Sequence, residues 1–430
     1  MTEPFPYLDA LRRGPVGVAP RRLGVEHECF VLRPDGRPVS FEEPGGVEEV
    51  LRRAAELSGG EVHGEDGRAL GVALPDGGSL SLEPGAQLEW ASPPHESASE
   101  LAVAQRESAS LFAELAAEFD LRFVPVGAHP TARPDDLPRI PKARYGVMEP
   151  WMRAHGDLGL WMMKTTCGVQ ANLDAADEGE AMEMLRLALW LSPLLVALSA
   201  NSAFAAGRDT GFRSWRGHVW TRTAPERCGI PRALLAPGLG FADYVEWAWS
   251  APMLFVERPG PDGAPTLVDL RGTSFRDWAA RGEATAADWE LHLSTLFPEA
   301  RFRPQLEVRS LDAAPAPLAL ALTTLVRAVL ERREAREAAA RLVGRWSEDQ
   351  LYEAWHAAHR EALAAPDPAG GVLLERAREL RALAAPNPDE EEVLAPLDEL
   401  LADGRSLAER AHEQGFDAWL TERLAEAAPR

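Results

Sequence analysis

Leu23-Gly24-Val25-Glu26-His27-Glu28-Cys29-Phe30 sets two carboxylates into a run of apolar residues. Alternation along a strand places Glu26 and Glu28 on one face and Val25 and His27 on the other. Two further segments repeat the pattern: Ser81 to Trp90, with Glu83 and Glu89, and Gln305 to Ser310, with Glu307 and Arg309. Taken alone, Glu26 and Glu28 read as the wet face of a half-exposed antiparallel sheet. Three such segments, one ending in Glu-Val-Arg, move the reading toward a site. Carboxylates aimed at an interior repel one another and lose hydration, and divalent cations are the usual relief. Mg²⁺ favours oxygen ligands together with substrate phosphates. The first expectation is therefore a Mg²⁺-dependent phosphoryl-transfer site on a sheet.

Around these segments the first third reads as strands at Arg22 to Leu32, Ser79 to Ser92 and Leu121 to Gly127, separated by turns such as Arg33-Pro34-Asp35-Gly36. Helical periodicity fills Val47 to Leu57 and Ser97 to Phe119, and Ser97 with Glu100 predicts a capping box. Lys164 to Leu173 reads as a strand and Glu178 to Asn201 as a long helix. From Ala314 the chain is almost wholly helical, with breaks at Pro366 to Gly371 and Pro386-Asn387-Pro388. Strands first and helices later, without βαβ alternation, predict an α+β fold. The expected division is a catalytic region, 1–313, and a helical region, 314–430, packed on it as one compact unit. Neither GxxxxGK[ST] nor GxGxxG is present, which excludes the P-loop and Rossmann ways of holding a nucleotide.

The formal net charge is -22, which argues against nucleic acid or an anionic membrane as partner but leaves room for a small anionic substrate. Cys29, Cys167 and Cys228 show no CxxC spacing, so neither zinc nor a disulfide framework is indicated, and a reducing cytoplasm is the expected compartment. Met1 to Arg13 does not read as a signal peptide. The apolar stretch Leu187 to Ala200 is too short to span a bilayer and reads as a buried helix.

An ordered set of motifs resembles glutamate–cysteine ligase of the plant and proteobacterial type, from about Arg21 to Ala314 and more weakly through the helical tail. It comprises Gly24-Val25-Glu26-His27-Glu28, Ser81-Leu82-Glu83-Pro84-Gly85-Ala86-Gln87-Leu88-Glu89, Pro141-Lys142-Ala143-Arg144-Tyr145, Thr166 to Asp174, Ala200 to Phe204, Arg216-Gly217-His218-Val219-Trp220, Arg227-Cys228-Gly229, Asp288 to Leu293 and Leu306-Glu307-Val308-Arg309. The resemblance implies a curved, mainly antiparallel, glutamine-synthetase-like sheet forming the catalytic face. It implies ATP-dependent joining of glutamate to cysteine through γ-glutamyl phosphate, the first step toward a glutathione-type thiol, with two to three Mg²⁺ ions and ATP as co-substrate. A monomer or homodimer is expected. Cys29 stands where plant-type enzymes usually have Lys, Lys164 replaces an Arg, and Ser310-Leu311-Asp312 replaces Gly-Ala-Asp. These departures bear on substrate detail and on any redox disulfide, not on the reaction type.

The resemblance assigns Glu26, Glu28, Glu83, Glu89 and Glu307 to a metal shell. Gln170 joins them as a ligand or stays an ordinary buried hydrogen-bonding glutamine, the two readings being even. Arg309 and Glu307 share a face, and Arg309 is assigned to the transferring phosphate; Lys164 is a further ATP contact. Arg227, in a Gly/Pro-flanked segment read as a loop at a sheet edge, is assigned to the glutamate α-carboxylate. Arg144 and Arg216 are substrate or phosphate contacts, or structural ion-pair residues. Trp220 walls the substrate pocket or belongs to the core. His27 alternates away from the acids and reads as structural, His218 as a supporting donor or core, and Cys167 as core. Two rival functions stand beside this reading: a ligase of the same fold with another acceptor amine, and a catalytically silent homologue that binds nucleotide or a protein partner.

Overall fold

The computed structural model describes residues 20–155, 157–260, 265–384 and 388–429, with Leu8, Leu11 and Gly17 ahead of them. The reading of Met1 to Arg13 lies outside these residues except at Leu8 and Leu11, and so does the break at Pro386-Asn387.

Nine strands form the central sheet: β1 (Leu23–Leu32), β2 (Glu61–Glu65), β3 (Arg68–Ala73), β4 (Ser79–Leu82), β5 (Leu88–Ala91), β6 (Arg122–Val124), β7 (Gly168–Leu173), β8 (Ala300–Phe302) and β9 (Leu306–Asp312). Their order is β8-β9-β7-β1-β5-β4-β3-β2, with β6 on the far end of β1, and every pairing within this sheet is antiparallel. The expected α+β fold is what forms.

Eleven helices matter here: α1 (Val47–Ser58), α2 (Ala98–Phe119), α3 (Ala143–His155), α4 (Gly159–Thr165), α5 (Glu178–Ser199), α6 (Trp215–Thr221), α7 (Ala286–Ser294), α8 (Ala316–Glu331), α9 (Glu348–Glu361), α10 (Pro388–Asp403) and α11 (Phe416–Glu426). One apolar core runs from Leu23 and Val25 of β1 through α5 and α8 to Leu397 of α10. The apolar stretch read from Leu187 belongs to α5, whose 22 residues are long and apolar enough to cross a bilayer by length and composition; it is instead enclosed by protein. Its hydroxyls meet β9, Ser192 at Ser310 Oγ (3.2 Å) and Ser199 accepting from Asp312 N (3.1 Å).

Three local expectations are corrected. Ser79 to Ser92 is a hairpin, not one strand, because Glu83 N and Ala86 N close a turn onto Gln87 O and Glu83 O. Only glycine fits at 85, where a Cβ would lie 2.4 Å from Lys164 O. Lys164 sits in helix α4, and the strand begins at Gly168, where the Arg216 guanidinium leaves no room for a side chain. At the start of α2, Ser97 Oγ accepts from Glu100 N (3.1 Å), but the Glu100 carboxylate bonds Glu96 N (3.0 Å), so the capping box is only half made.

Candidate active site

The register of β1 decides what meets what. Glu28 lies opposite Glu89 of β5, Glu26 opposite Gln170 of β7, and Glu307 of β9 opposite Asn172 of β7. Residues directly across a pair share a face, so the acids of three distant segments fall on one side of the sheet. That face floors a cavity of about 440 Å³, walled by α3, α4, α6 and the turn after α7. Four carboxylates line it, Glu26, Glu28, Glu83 and Glu89, against six cations, Lys142, Arg144, Arg216, Arg301, Arg303 and Arg309. A chain of net charge -22 therefore keeps a cationic surplus at this place, which suits an anionic ligand.

The acids are crowded. Burial, then Glu307, pushes Glu26 up to about 6. Burial, then Glu83, pushes Glu28 up to about 7, although Gly168 N (2.6 Å) and Gln170 Nε2 (2.7 Å) both donate to it. Glu89 rises well above the carboxylate range through burial and the charges of Glu26, Glu83 and Glu28. Gln170 Oε1 is buried with no hydrogen-bond partner among the described residues. An orphaned amide oxygen among carboxylates that burial and mutual repulsion destabilise in their charged form is a set of hard donors that fits Mg²⁺. Among the described residues, however, no three His, Cys, Asp or Glu side chains are grouped closely enough to hold an ion by themselves. The expected shell is thus gathered in one cleft but not closed into a cage.

Glu307 has a different setting from the one expected. Its side chain is 1% exposed and takes a two-pronged contact from Arg301 (Nε 2.9 Å, Nη2 3.0 Å) and a further ion pair from Arg309. Burial alone would raise it, but Arg301, Arg309 and Arg303 overcome that and hold it at about 2. It is an ionised anchor for two guanidinia rather than an open metal ligand. Arg309 lines the cleft with its guanidinium over the rings of Trp220 and Phe297, each 5.7 Å from the centroid. Trp220 is half-buried and does wall the cleft.

Arg144 stacks on Tyr145 (5.0 Å), donates to its hydroxyl (3.2 Å) and leaves its buried Nε without a partner among the described residues. Arg216 donates to Arg309 O (3.0 Å) and its charge bears on Glu28.

Two assigned residues lie elsewhere. Arg227 is not on a free loop: it is fully buried, stacked on Trp151 (5.3 Å), with Nε donating to Thr295 O (3.1 Å) and Nη2 to Thr295 Oγ1 (2.8 Å). It stands behind Thr295, which lines the cleft in its place. Lys164 turns away, its Nζ donating to Leu137 O (3.0 Å) and pairing with Glu149 (3.4 Å). His27 is structural as read, Nε2 lying 2.9 Å from Ala314 O, and burial lowers it to about 4. His218 stacks on Phe212 (4.0 Å), and Cys167 is enclosed in the core.

The sequence reading missed Arg301, Arg303 and Thr295 and left Lys142 unassigned. Arg301-Phe302-Arg303-Pro304-Gln305-Leu306-Glu307 did carry a signal. Taking Pro304 as a turn folds it into a hairpin with Arg301 opposite Glu307.

A family model described as glutamate-cysteine ligase family 2 matches residues 22–423. The chain belongs to that family. It is 35% identical over 302 residues to the chloroplastic glutamate–cysteine ligase of Brassica juncea, covering 68% of this chain and 57% of that one. It is 32% identical over 361 residues to glutamate–cysteine ligase B, chloroplastic, of rice, covering 81% and 71%. It thus spans little more than half the length of the Brassica enzyme. Among solved structures, the glutamate–cysteine ligase of Francisella tularensis in complex with AMP superposes at TM-score 0.56 and 12% identity over 95% of this chain and 88% of that one, a likeness of fold. The expected cytoplasmic location is corrected: the family relatives it resembles in sequence are chloroplastic. Cys29, Cys167 and Cys228 are free and buried, and such cysteines do not single out one compartment.

Proposed function

We propose that the chain is an ATP-dependent ligase that joins the γ-carboxylate of glutamate to the α-amine of cysteine, giving γ-glutamylcysteine, ADP and phosphate. The observation that carries this is the cleft itself: four crowded, buried carboxylates beside a guanidinium, Arg309, held in place by a buried carboxylate. The glutamate γ-carboxylate attacks the γ-phosphorus of ATP, and ADP leaves. The cysteine amine then attacks the acyl carbon of γ-glutamyl phosphate, phosphate leaves with the bonding pair, and the amine loses a proton.

Negative charge builds on phosphoryl oxygens in the first step and on the acyl oxygen in the second, so preorganised cations lower both barriers. Arg309 serves that role, fixed by Glu307, which Arg301 in turn fixes. Mg²⁺, held by Glu26, Glu28, Glu83, Glu89 and Gln170 with substrate phosphates, would neutralise phosphate charge. Arg144, with a free buried Nε, replaces Arg227 as the residue for the glutamate α-carboxylate, by a charge-assisted pair. Arg216 braces the Arg309 backbone next to Glu28.

The test is mass-spectrometric identification of the product formed from ATP, Mg²⁺, glutamate and a mixture of amino acids. γ-Glutamylcysteine is expected. A γ-glutamyl adduct of another amine would replace the acceptor and keep the rest. No ATP-dependent adduct at all would overturn the reading.

A further inference from the structure

The back of the same strands encloses a second cavity of about 440 Å³. Cys29 and Trp90 face it from the sheet, Gln105 and Phe112 from α2, Phe123 from β6 and Pro429 from the end of the described chain. Its walls are mainly hydrocarbon and aromatic ring, and its size lies within the range of small-molecule sites.

Two donors in it are left over. Gln105 is 7% exposed, and its Nε2 is buried with no hydrogen-bond partner among the described residues. Arg423 of α11 has Nη1 at Glu426 (2.8 Å) and Nη2 at Glu422 (2.8 Å), while its buried Nε has no partner among the described residues. Buried donors without acceptors are costly, and two at one apolar cavity ask for an acceptor from outside the chain. The charge of Arg423 is already met by two carboxylates, so the cavity gains little from a ligand anion.

We propose that this cavity is a binding site for a neutral small molecule with an aromatic or branched apolar body and a carbonyl acceptor. It is separate from the acid-lined cleft, with β1 and β5 between them, and needs neither ATP nor glutamate to be filled.

The experiment is fluorine NMR of 4-fluoroacetanilide titrated with the purified full chain, beside fluorobenzene and 4-fluorobenzoate. The amide should bind with a Kd on the order of 1 mM or tighter. Fluorobenzene, which lacks the acceptor, should bind about fivefold more weakly, one neutral hydrogen bond. Gln105→Leu should weaken the amide by a similar factor and leave fluorobenzene unchanged. Its unfolding midpoint should stay level or rise, since an unpaired donor is removed. Ala113→Trp, at an exposed mouth position, should abolish binding of both neutral probes while the denaturation midpoint holds. Absence of amide binding, binding equal in wild type and Ala113→Trp, or tightest binding by the benzoate would each overturn the proposal.

Discussion

β1 sends Glu26 and Glu28 to one face of the sheet and His27 and Cys29 to the other, and each face closes over a cavity of about 440 Å³. The front one is crowded with ionisable groups. The back one is apolar, with two unsatisfied donors. The difference shows how a fold carries a costly site. Period-two alternation confines charge to the front of each strand, so the back remains free to join an apolar core that offsets the desolvation in front. The two faces also titrate in opposite senses, and they respond differently to the loss of a partner.

The largest effect should follow from breaking the front-face pair that is most deeply buried. Arg301→Met leaves Glu307 with Arg309 alone, and removing one partner of a buried pair costs about 3–5 kcal/mol. Denaturant unfolding should show it, and a loss under 1 kcal/mol would mean that water reaches Glu307. Arg309→Ala should lower kcat by about 10²–10³-fold with little change in ATP affinity, because its charge matters most as phosphate transfers. Arg309→Lys should recover part of this, since a point charge lacks the planar fork. Near-normal turnover in Arg309→Ala would take it out of the mechanism.

Both the fold and the gathering of the acids were legible because period-two alternation is local. Glu26, Glu28, Glu89 and Glu307 reach one face through strand geometry that the sequence states residue by residue. What was not legible came from register and approach. Arg301 comes opposite Glu307 only once Pro304 is taken as a hairpin turn, and that neighbour turns a ligand candidate into an anchor. Arg227 looked free because glycine and proline flank it, yet the turn after α7 covers it completely. Lys164 was read into a strand because apolar runs of helix and strand look alike when short; in α4 its side chain leaves the cleft. Glu83 falls in a hairpin turn, since Gly85 must admit Lys164 O.

pH separates the faces. In front, the folded pKa values of Glu26 and Glu28 are raised to about 6 and about 7, so the fold without metal is favoured below 4.5 and loses that stability as pH rises through those values. Behind and elsewhere, burial lowers His27 to about 4, and His129 and His292 to about 3. Their contribution is complete above 6.5 and is lost as pH falls toward those values. Without metal, the gain from the histidines outweighs the loss from Glu26 and Glu28 until pH 6.5, so stability should peak near there, each group contributing about 1.4 kcal/mol per pH unit between its unfolded and folded values. Glu28→Gln should steepen the rise below the peak and flatten the fall above it, because Glu28 loses its contribution between 4.5 and about 7. Thermal unfolding across pH 5–8 checks this, and an unchanged profile in Glu28→Gln would reverse the assignment. Mg²⁺ should raise the midpoint more at pH 7.5 than at 5.5, where protons already relieve the repulsion.

The smallest effect should come from the cation that belongs to neither face. Among the described residues the Arg227 guanidinium donates only to Thr295 and leaves Nη1 without a hydrogen-bond partner, so part of its bonding is offset by its own burial cost. Arg227→Met keeps most of the volume against Trp151 and removes the unpaired donor, while Thr295 O loses its guanidinium. A net loss of about 1–2 kcal/mol is expected. Because Thr295 lines the cleft and Arg227 does not, the KM for glutamate should move by less than about threefold, near 0.7 kcal/mol. Arg144→Met should instead raise that KM by tenfold or more, the loss of a charge-assisted pair. If the two variants exchange these outcomes, with Arg227→Met raising the glutamate KM tenfold at an unchanged unfolding midpoint, the substrate carboxylate reaches behind Thr295. The cleft wall must then open on binding, and Arg227 returns to the substrate.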